Sequence, residues 1–526
     1  MACRFGTCIA IQFDKLHQKT DQLGSVKKLA GQTLWYGVPT IATRFLGYLL
    51  SIFLFRWYGP TVTADITQVY ALIPFLNILF TYGLETAYFR FVQHTEEKKL
   101  FNTLSVSIIS SSIVFSVLLL LFTEPLARFT SLEAKPEYFR WMVYILFFDT
   151  LSAIPFARLR HQERPRKYAF VKVMNISLTV LLSFYFLRFC PLRYAQDPND
   201  SLLLFYNPSF GIGYYIVANA IASAISLLLL WEEWKALRIE FDAQLWKQVM
   251  QYAYPLIIVG FGGMINEMLS RLVYSHVLDL PLEEEKRQLG IFGASYKVAV
   301  LITMFIQVFK MAAEPFFFKQ STGDNAPRTY ARVMKFFVIA CSLMWLGIAL
   351  GLPLITRMAY GENFAAYNEG SAIIPILAMA SVFLGIYYNL SIWYKLTNQT
   401  WTGAWITLGG ALVTVLLNVW WIPLFGYTGS AWATFICYTA MMLVSYRMGQ
   451  RYYPVPYAWK KYLAYLLIAV GLYALHNWGI NPFITSLWGK GLIAALLFAG
   501  YALFIAKVEQ KELVKLPLIG RFVAKL

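Results

Sequence analysis

Two arginines lie deep within long apolar stretches of this 526-residue chain. Arg44 is near the middle of residues 34–55, and Arg271 is within residues 249–277. A cation at bilayer depth costs at least a few kcal/mol, so it normally faces a protein interior or a water-filled cavity. The two arginines therefore predict a pathway for a negatively charged substrate.

Acidic residues accompany the cations in the apolar stretches. Glu267 precedes Arg271 by four residues and Lys310 precedes Glu314 by four, so each pair can form an ion pair on its own helix. Glu85 lies in an earlier stretch. Two interpretations stay open for these three acids: they neutralise cations, or they bind a coupling Na⁺ or H⁺.

Polar residues recur every three or four positions in four of the apolar stretches. At about 100° per residue, this spacing places each set on one helix face. The four sets are Thr33, Gly37, Thr40, Arg44, Gly47 and Ser51; Thr67, Tyr70, Pro74, Asn77, Thr81 and Glu85; Gly263, Asn266, Glu267, Ser270 and Arg271; and Tyr296, Thr303, Gln307, Lys310 and Glu314. Small and hydroxyl residues also mark helix–helix contacts in membranes, but that alternative leaves the charges unexplained.

Composition indicates an all-α polytopic membrane protein. Hydrophobic residues make up 58% of the chain and charged residues 14%, and the apolar stretches predict about fourteen transmembrane helices. The net charge of +17 falls mostly in one set of connecting segments, which places both termini in the cytoplasm by the positive-inside rule. We therefore expect a multi-pass protein of the bacterial cytoplasmic (inner) membrane, with no nucleic-acid partner.

Residues for covalent chemistry form no recognisable pattern. The five cysteines and five histidines have no metal-ligand spacing, and no nucleophile elbow, phosphate loop or zinc helix is present. We accordingly predict no catalytic residue, no metal and no cofactor, apart from a coupling Na⁺ or H⁺.

The chain divides around one charged connection between two halves. The predicted units are a disordered tail at 1–25, a six-helix bundle at 26–231, a cytoplasmic amphipathic linker at 232–250, a second six-helix bundle at 251–447, and two extra helices with a basic tail at 448–526. Arg44 and Arg271 recur at nearly the same offset as Glu85 and Glu314, which indicates two pseudosymmetric halves.

The sequence resembles the bacterial polysaccharide-biosynthesis flippases of the multidrug/oligosaccharidyl-lipid/polysaccharide exporter superfamily. The matching positions are Tyr36-Gly37, Arg44, Arg56, Tyr58-Gly59-Pro60, the run from Tyr82 to Phe91, Tyr252, Pro255-Leu256, Asn266, Arg271, Gly290, Tyr296-Lys297 and the run from Glu314 to Phe318. One position departs from the pattern, because relatives often have an acid where this chain has Ser270.

This resemblance implies two pseudosymmetric bundles around a central cationic cavity. It also implies alternating-access translocation of a polyprenyl-diphosphate-linked oligosaccharide, with the bilayer and polysaccharide-assembly membrane proteins as partners. The candidate substrate contacts are Arg44, Arg271, Lys297, Lys310, Asn77, Asn266 and Gln307, and the candidate counter-charges or coupling-ion sites are Glu85, Glu267 and Glu314.

Other functions remain open at this stage. A cation-coupled multidrug exporter could share the fold, but it would favour acids in the first bundle, where the first span carries an arginine and no acid. A membrane-embedded glycosyl or acyl transferase would need an acid or histidine constellation at a membrane face. Fold analogy does not choose among these functions.

Overall fold

The computed structural model describes residues 41–321, 325–397 and 399–514, which form helices and turns with no strand among them. The predicted tail at 1–25 lies outside these ranges. The α-helices of the first half are α1 (41–57), α2 (Pro60–Thr81), α3 (Leu84–Phe91), α4 (Glu97–Leu121), α5 (Thr123–Phe129), α6 (Glu137–His161), α7 (Pro165–Phe184), α8 (Cys190–Tyr194) and α9 (Tyr214–Leu229).

The second half contains the longest α-helices of the described residues. Its α-helices are α10 (Trp231–Lys235), α11 (Ala243–Val277), α12 (Leu282–Gln320), α13 (Ala326–Tyr360), α14 (Phe364–Tyr367), α15 (Ile374–Leu390), α16 (Ile392–Leu396), α17 (Thr400–Tyr452), α18 (Trp459–Ala474), α19 (Leu487–Val508) and α20 (Gln510–Leu513).

Local sequence sets the two ends of α2. Pro60 opens the helix, where its missing N–H costs no hydrogen bond. Tyr82 and Gly83 both have left-handed backbone angles, with φ of 31° and 74°, and they stop the helix before α3.

Eleven segments of the described residues are long and apolar enough to cross a membrane. Several of them contain more than one helix or a break within a helix. Residues 326–396 hold α13 and α15 in series, and α17 breaks at Gly426, whose φ is 56°. The all-α prediction is confirmed, whereas the count of about fourteen stays a prediction.

The helices pack in two groups. In the first group α6 packs against α2, α4 and α9, and α7 packs against α9. In the second group α17 packs against α11 and α15, and α15 packs against α12. The groups meet chiefly where α2 contacts α11 and α12, so the surface of α2 is shared between them. We call them the N-bundle and the C-bundle.

The last two long helices, α18 and α19, pack on α13 of the C-bundle. Glu509, at the end of α19, joins them: its carboxylate accepts hydrogen bonds from Lys335 (2.7 Å), Lys461 (2.9 Å) and the Tyr465 hydroxyl (2.6 Å). Burial raises the pKa of this carboxyl, but the three donors outweigh burial and lower the pKa to about 2.

The predicted connection between the bundles is partly helical. The predicted amphipathic linker at 232–250 contains the five-residue helix α10, a non-helical stretch, and then the start of α11 at Ala243. Asp242 caps α11 by accepting the backbone N–H of Leu245 at 2.9 Å. Hydrogen bonds to this carboxylate, first from Lys99, lower the pKa of Asp242. The cap fixes the helix start inside the predicted linker.

Candidate functional site

A cavity of about 310 Å³ lies between the two bundles, and we call it the central cavity. Helices α1, α2 and α9 contribute one side, and α11 and α12 contribute the other. Its polar lining residues are Ser51, Thr63, Thr67, Tyr70, Tyr215, Glu267, Arg271, Tyr296 and Lys297. The polar stripes of the second and seventh predicted spans therefore meet in one space.

Arg271 is buried at the wall of the central cavity, with 6% of its surface exposed. Its guanidinium lies 4.2 Å from the centre of the Tyr296 ring, and its Nη1 donates to the backbone carbonyl of Glu267 at 3.2 Å. Among the ion pairs of the described residues, none joins the side chains of Arg271 and Glu267. The ion pair along α11, one of the two interpretations left open by the sequence, is therefore not formed, and the guanidinium keeps hydrogen-bonding capacity for a ligand.

Lys297 projects into the same cavity from α12, one residue after Tyr296. Its side chain is exposed although α12 is surrounded by other helices, because the cavity itself provides the accessible surface. Together Arg271, Lys297 and Glu267 give the lining two positive charges and one negative charge. A net positive cavity in a low-dielectric interior favours an anionic ligand with several acceptor oxygens.

Arg44 is exposed on α1 and does not line the central cavity. It precedes Ser51, which does line it, by seven residues, so the two share a helix face and are separated by about 10 Å along the axis. Among the described residues no ion pair to Arg44 is found. Its role in substrate binding stays a prediction.

A second polar cavity, of about 270 Å³, lies within the N-bundle among α2, α3, α6, α7 and α9. We call it the N-bundle cavity. Two predicted site residues, Asn77 and Glu85, line it, and Glu85 is paired with Arg160 of α6. Asp149 and Lys172, which sequence reasoning missed, line the same cavity. Their signal was present, since an ionisable residue inside an apolar helix is a functional candidate by default.

The charged residues of the later part of α12 lie apart from both cavities. Glu314 is paired with Lys395 of α16 at 2.5 Å, whereas Lys310 lies 4.2 Å from the centre of the Tyr388 ring. The alternative in which Lys310 and Glu314 neutralise each other is thus not seen. These residues line only a small cavity of about 20 Å³, and Gln307 is half-buried on α12 outside all three cavities.

Asn266 faces α17 rather than either cavity. Its amide nitrogen donates to the carbonyl of Thr407 at 3.2 Å, and its amide oxygen accepts from Thr414 at 3.1 Å. Both amide groups are therefore used in packing α11 on α17, which leaves Asn266 no group for a substrate in this conformation. In the described residues no three His, Cys, Asp or Glu side chains group as a metal site.

One end of the central cavity is closed by direct contacts between the bundles. We call it the Pro60 end, because α2 begins there. Asp65 of α2 is 2% exposed and pairs with Lys286 of α12 at 2.9 Å across the two bundles. It also pairs with Lys135 at 2.7 Å within the N-bundle.

Close backbone packing completes this closure. A Cβ atom at Gly290 of α12 would overlap the carbonyl group of Pro60, so only glycine permits the approach of α12 to α2. Nearby, the Thr63 hydroxyl lies 2.8 Å from the hydroxyl of Tyr367. The Pro60 end is therefore sealed by charge pairing, hydroxyl pairing and helix contact.

The fold and the site define a multi-pass helical membrane protein with two bundles around a basic central cavity. The chain belongs to the polysaccharide biosynthesis protein family, whose model matches residues 29–321. Comparison with curated protein sequences gives no significant match.

Solved structures share the fold at low sequence identity. The lipid II flippase MurJ in an inward closed conformation aligns with a TM-score of 0.69 and 13% identity, covering 90% of this chain and 98% of MurJ. An inward-facing multidrug resistance MATE family transporter aligns with a TM-score of 0.63, 14% identity, and 80% and 97% coverage. An outward-facing MATE structure gives 0.54, with 13% identity and 80% and 95% coverage.

Proposed function

We propose that this protein is a flippase that moves a polyprenyl-diphosphate-linked oligosaccharide across the bacterial cytoplasmic membrane by alternating access. The observation that carries the proposal is the central cavity, in which Arg271 and Lys297 outnumber Glu267. Guanidinium and ammonium groups bind a diphosphate through charge-assisted hydrogen bonds. The translocated lipid-linked sugar would serve cell-surface polysaccharide synthesis, as membership of the polysaccharide biosynthesis family suggests.

The closed Pro60 end fits the first step of such a cycle. The positive-inside distribution predicts that this end faces outward, with both termini in the cytoplasm. A cavity that is closed on the outer side can receive substrate only from the cytoplasmic side. The lipid tail remains in the bilayer while only the polar head enters the cavity.

Charge separates this function from drug export on the same fold. An exporter of organic cations needs a cavity of net negative charge, whereas the central cavity carries two cations and one acid. Glu267 is the acid in that cavity, and within the described residues no cation lies within 4 Å of its carboxylate. It is our proposed site for a coupling Na⁺ or H⁺. Polysaccharide-assembly membrane proteins are the proposed partners.

Transport of a fluorescent polyprenyl diphosphate carrying one sugar, measured in proteoliposomes, tests the proposal. Arg271→Ala should slow flipping about tenfold or more, because it removes charge-assisted hydrogen bonds worth about 1.5–3 kcal/mol in total. Arg271→Lys should retain part of the rate, since a point charge remains. Arg328→Ala removes an exposed arginine of α13 and should leave the rate unchanged. A normal rate for Arg271→Ala would reject the anionic substrate.

Arg44 is tested in the same assay. Arg44→Ala should abolish flipping while the protein still inserts and folds, and Arg44→Glu should be worse because it repels the head group. The competing interpretation gives Arg44 a structural ion pair. In that case Arg44→Ala should instead lower the yield of folded protein in detergent, and removing the acid partner should restore it.

A further inference from the structure

The N-bundle cavity is chemically unlike the central cavity. Eight of its lining side chains are neutral amides or hydroxyls: Asn77, Thr81, Ser152, Tyr168, Asn175, Asn219, Ser223 and Ser226. Its charges come close to balance, because Asp149 and Glu85 are matched by Lys172 in the lining and by Arg160, which pairs with Glu85. A cavity that is polar but nearly neutral suits a polar uncharged ligand better than a phosphate or a bare cation.

Hydrogen bonds already made inside the bundle leave several acceptor oxygens of the lining residues unused, beside the remaining N–H donors of the amides and of Lys172. The amide nitrogen of Asn175 donates to Ser226 at 3.0 Å, and the amide nitrogen of Asn219 donates to the Tyr70 hydroxyl at 2.7 Å. No described donor reaches the oxygen of either amide. The Asp149 carboxylate has no cation within 4 Å among the described residues. Three sets of acceptor oxygens therefore converge on one space, where ligand hydroxyl groups could donate to them.

The two cavities are arranged in series along α2. Thr67 and Tyr70 of this helix line the central cavity, and Asn77 and Thr81 line the N-bundle cavity. At 1.5 Å per residue, Tyr70 and Asn77 are about 10 Å apart along the helix axis.

The hydrogen bond between Tyr70 and Asn219 joins the walls of the two cavities. A ligand with a charged group in the central cavity could extend a neutral polar group into the second cavity once this hydrogen bond is displaced or bypassed. A sugar attached directly to a diphosphate has this arrangement.

We propose that the N-bundle cavity is the glycan subsite: it binds the sugar next to the diphosphate, with Asp149, Asn175 and Asn219 accepting hydrogen bonds from sugar hydroxyls. The assignment rests on the proposed flippase function. It adds that the N-bundle recognises the sugar, whereas the cations of the C-bundle recognise the diphosphate. Lys172 opposes the alternative of a metal-cation site, because it places a positive charge in the same lining.

Binding to purified protein in nanodiscs tests the assignment. The probes are polyprenyl diphosphates that carry one hexose, one 6-deoxyhexose or one N-acetylhexosamine, and the same lipid without sugar, with occupancy read by native mass spectrometry. Wild type should prefer at least one sugar-bearing lipid. Asp149→Asn and Asn175→Ala should each weaken that lipid about tenfold and leave the sugar-free lipid unchanged. Asp149→Asn preserves the shape of the side chain, so it still tests the assignment if Asn175→Ala fails to fold.

Two controls separate the glycan subsite from the proposed function. Ser183→Ala removes a buried hydroxyl of α7 that faces neither cavity, and it should change binding of neither lipid. Arg271→Ala should weaken both lipids by the same factor. No effect of Arg271→Ala on either lipid would reject the flippase proposal itself.

Three results would overturn the glycan subsite while Arg271→Ala still weakens both lipids. The first is a wild type that does not distinguish sugar-bearing from sugar-free lipid. The second is equal loss of both lipids in Asp149→Asn and Asn175→Ala. The third is an unchanged sugar preference with altered Na⁺ or pH dependence, which would make the cavity a cation site.

Discussion

Opening of the Pro60 end should depend on one ion pair across the bundles. Lys286→Met removes the bond between Lys286 of α12 and Asp65 of α2, while Asp65 keeps its second partner, Lys135. Both members of the lost pair are shielded, since their side chains are 16% and 3% exposed. The substitution therefore weakens closure without leaving an unpaired carboxylate.

The size of the effect follows from this geometry. A hydrogen bond to a charged group contributes about 1.5–3 kcal/mol, and the lower value applies because Asp65 stays paired. A change of about 1.4 kcal/mol is a tenfold change in an equilibrium constant. Lys286→Met should therefore raise the population that is open at the Pro60 end about tenfold.

Thiol labelling from the outer side measures this population. Thr67→Cys places a thiol on the central cavity behind the closure, in a background with the five native cysteines replaced by alanine. A membrane-impermeant reagent should label it about tenfold faster in Lys286→Met than in the parent. Lys135→Met is the matched control, since it removes the bond within the N-bundle and should leave the labelling rate unchanged. Equal rates in all three proteins, or equal acceleration by both substitutions, would refute the reasoning.

Three further predictions concern helix contact, charge pairing and the last helices. Gly290→Ala should separate α12 from α2 and accelerate the same thiol labelling. Gly263→Ala is the control and should not change the labelling rate, because a Cβ atom there meets no atom within 4 Å. Equal labelling rates in the two variants would contradict the contact argument. Glu314→Gln or Lys395→Gln alone should lower the yield of folded protein more than the double substitution does, because a single change leaves an unpaired charge. A double variant that folds well yet fails to transport would instead assign Glu314 to ion coupling. Glu509→Gln should reduce the free energy of unfolding by about 3 kcal/mol at neutral pH. The pKa of Glu509 is about 2 in the folded protein and 4.5 ordinarily, so the stability advantage of wild type over Glu509→Gln should be lost as pH falls from about 4.5 to 2. Thermal melting in detergent measures this loss. A stability advantage that persists below pH 2 would contradict the role of the carboxylate.

The sequence alone was sufficient for the helical fold class, and several of the residues that it singles out lie together in the structure, although their role in binding stays a prediction. Helical spacing predicts Arg271 and Glu267 as site residues, the family resemblance adds Lys297, and all three line one cavity. The spacing argument works because the cost of charge in a bilayer and the 3.6-residue period are properties of a single helix. The same reasoning gives the polar face of α2, which lines both cavities.

Partners on other helices could not be predicted in this way. Asn266 is on the predicted polar face but its amide is bonded to α17, and Glu314 pairs with Lys395 instead of its neighbour Lys310. The closure was missed altogether, because Asp65 and Lys286 are 221 residues apart. Periodicity fixes which residues share a helix face. The rotation and axial position of that helix against its neighbours, which depend on long-range packing, decide what the face meets.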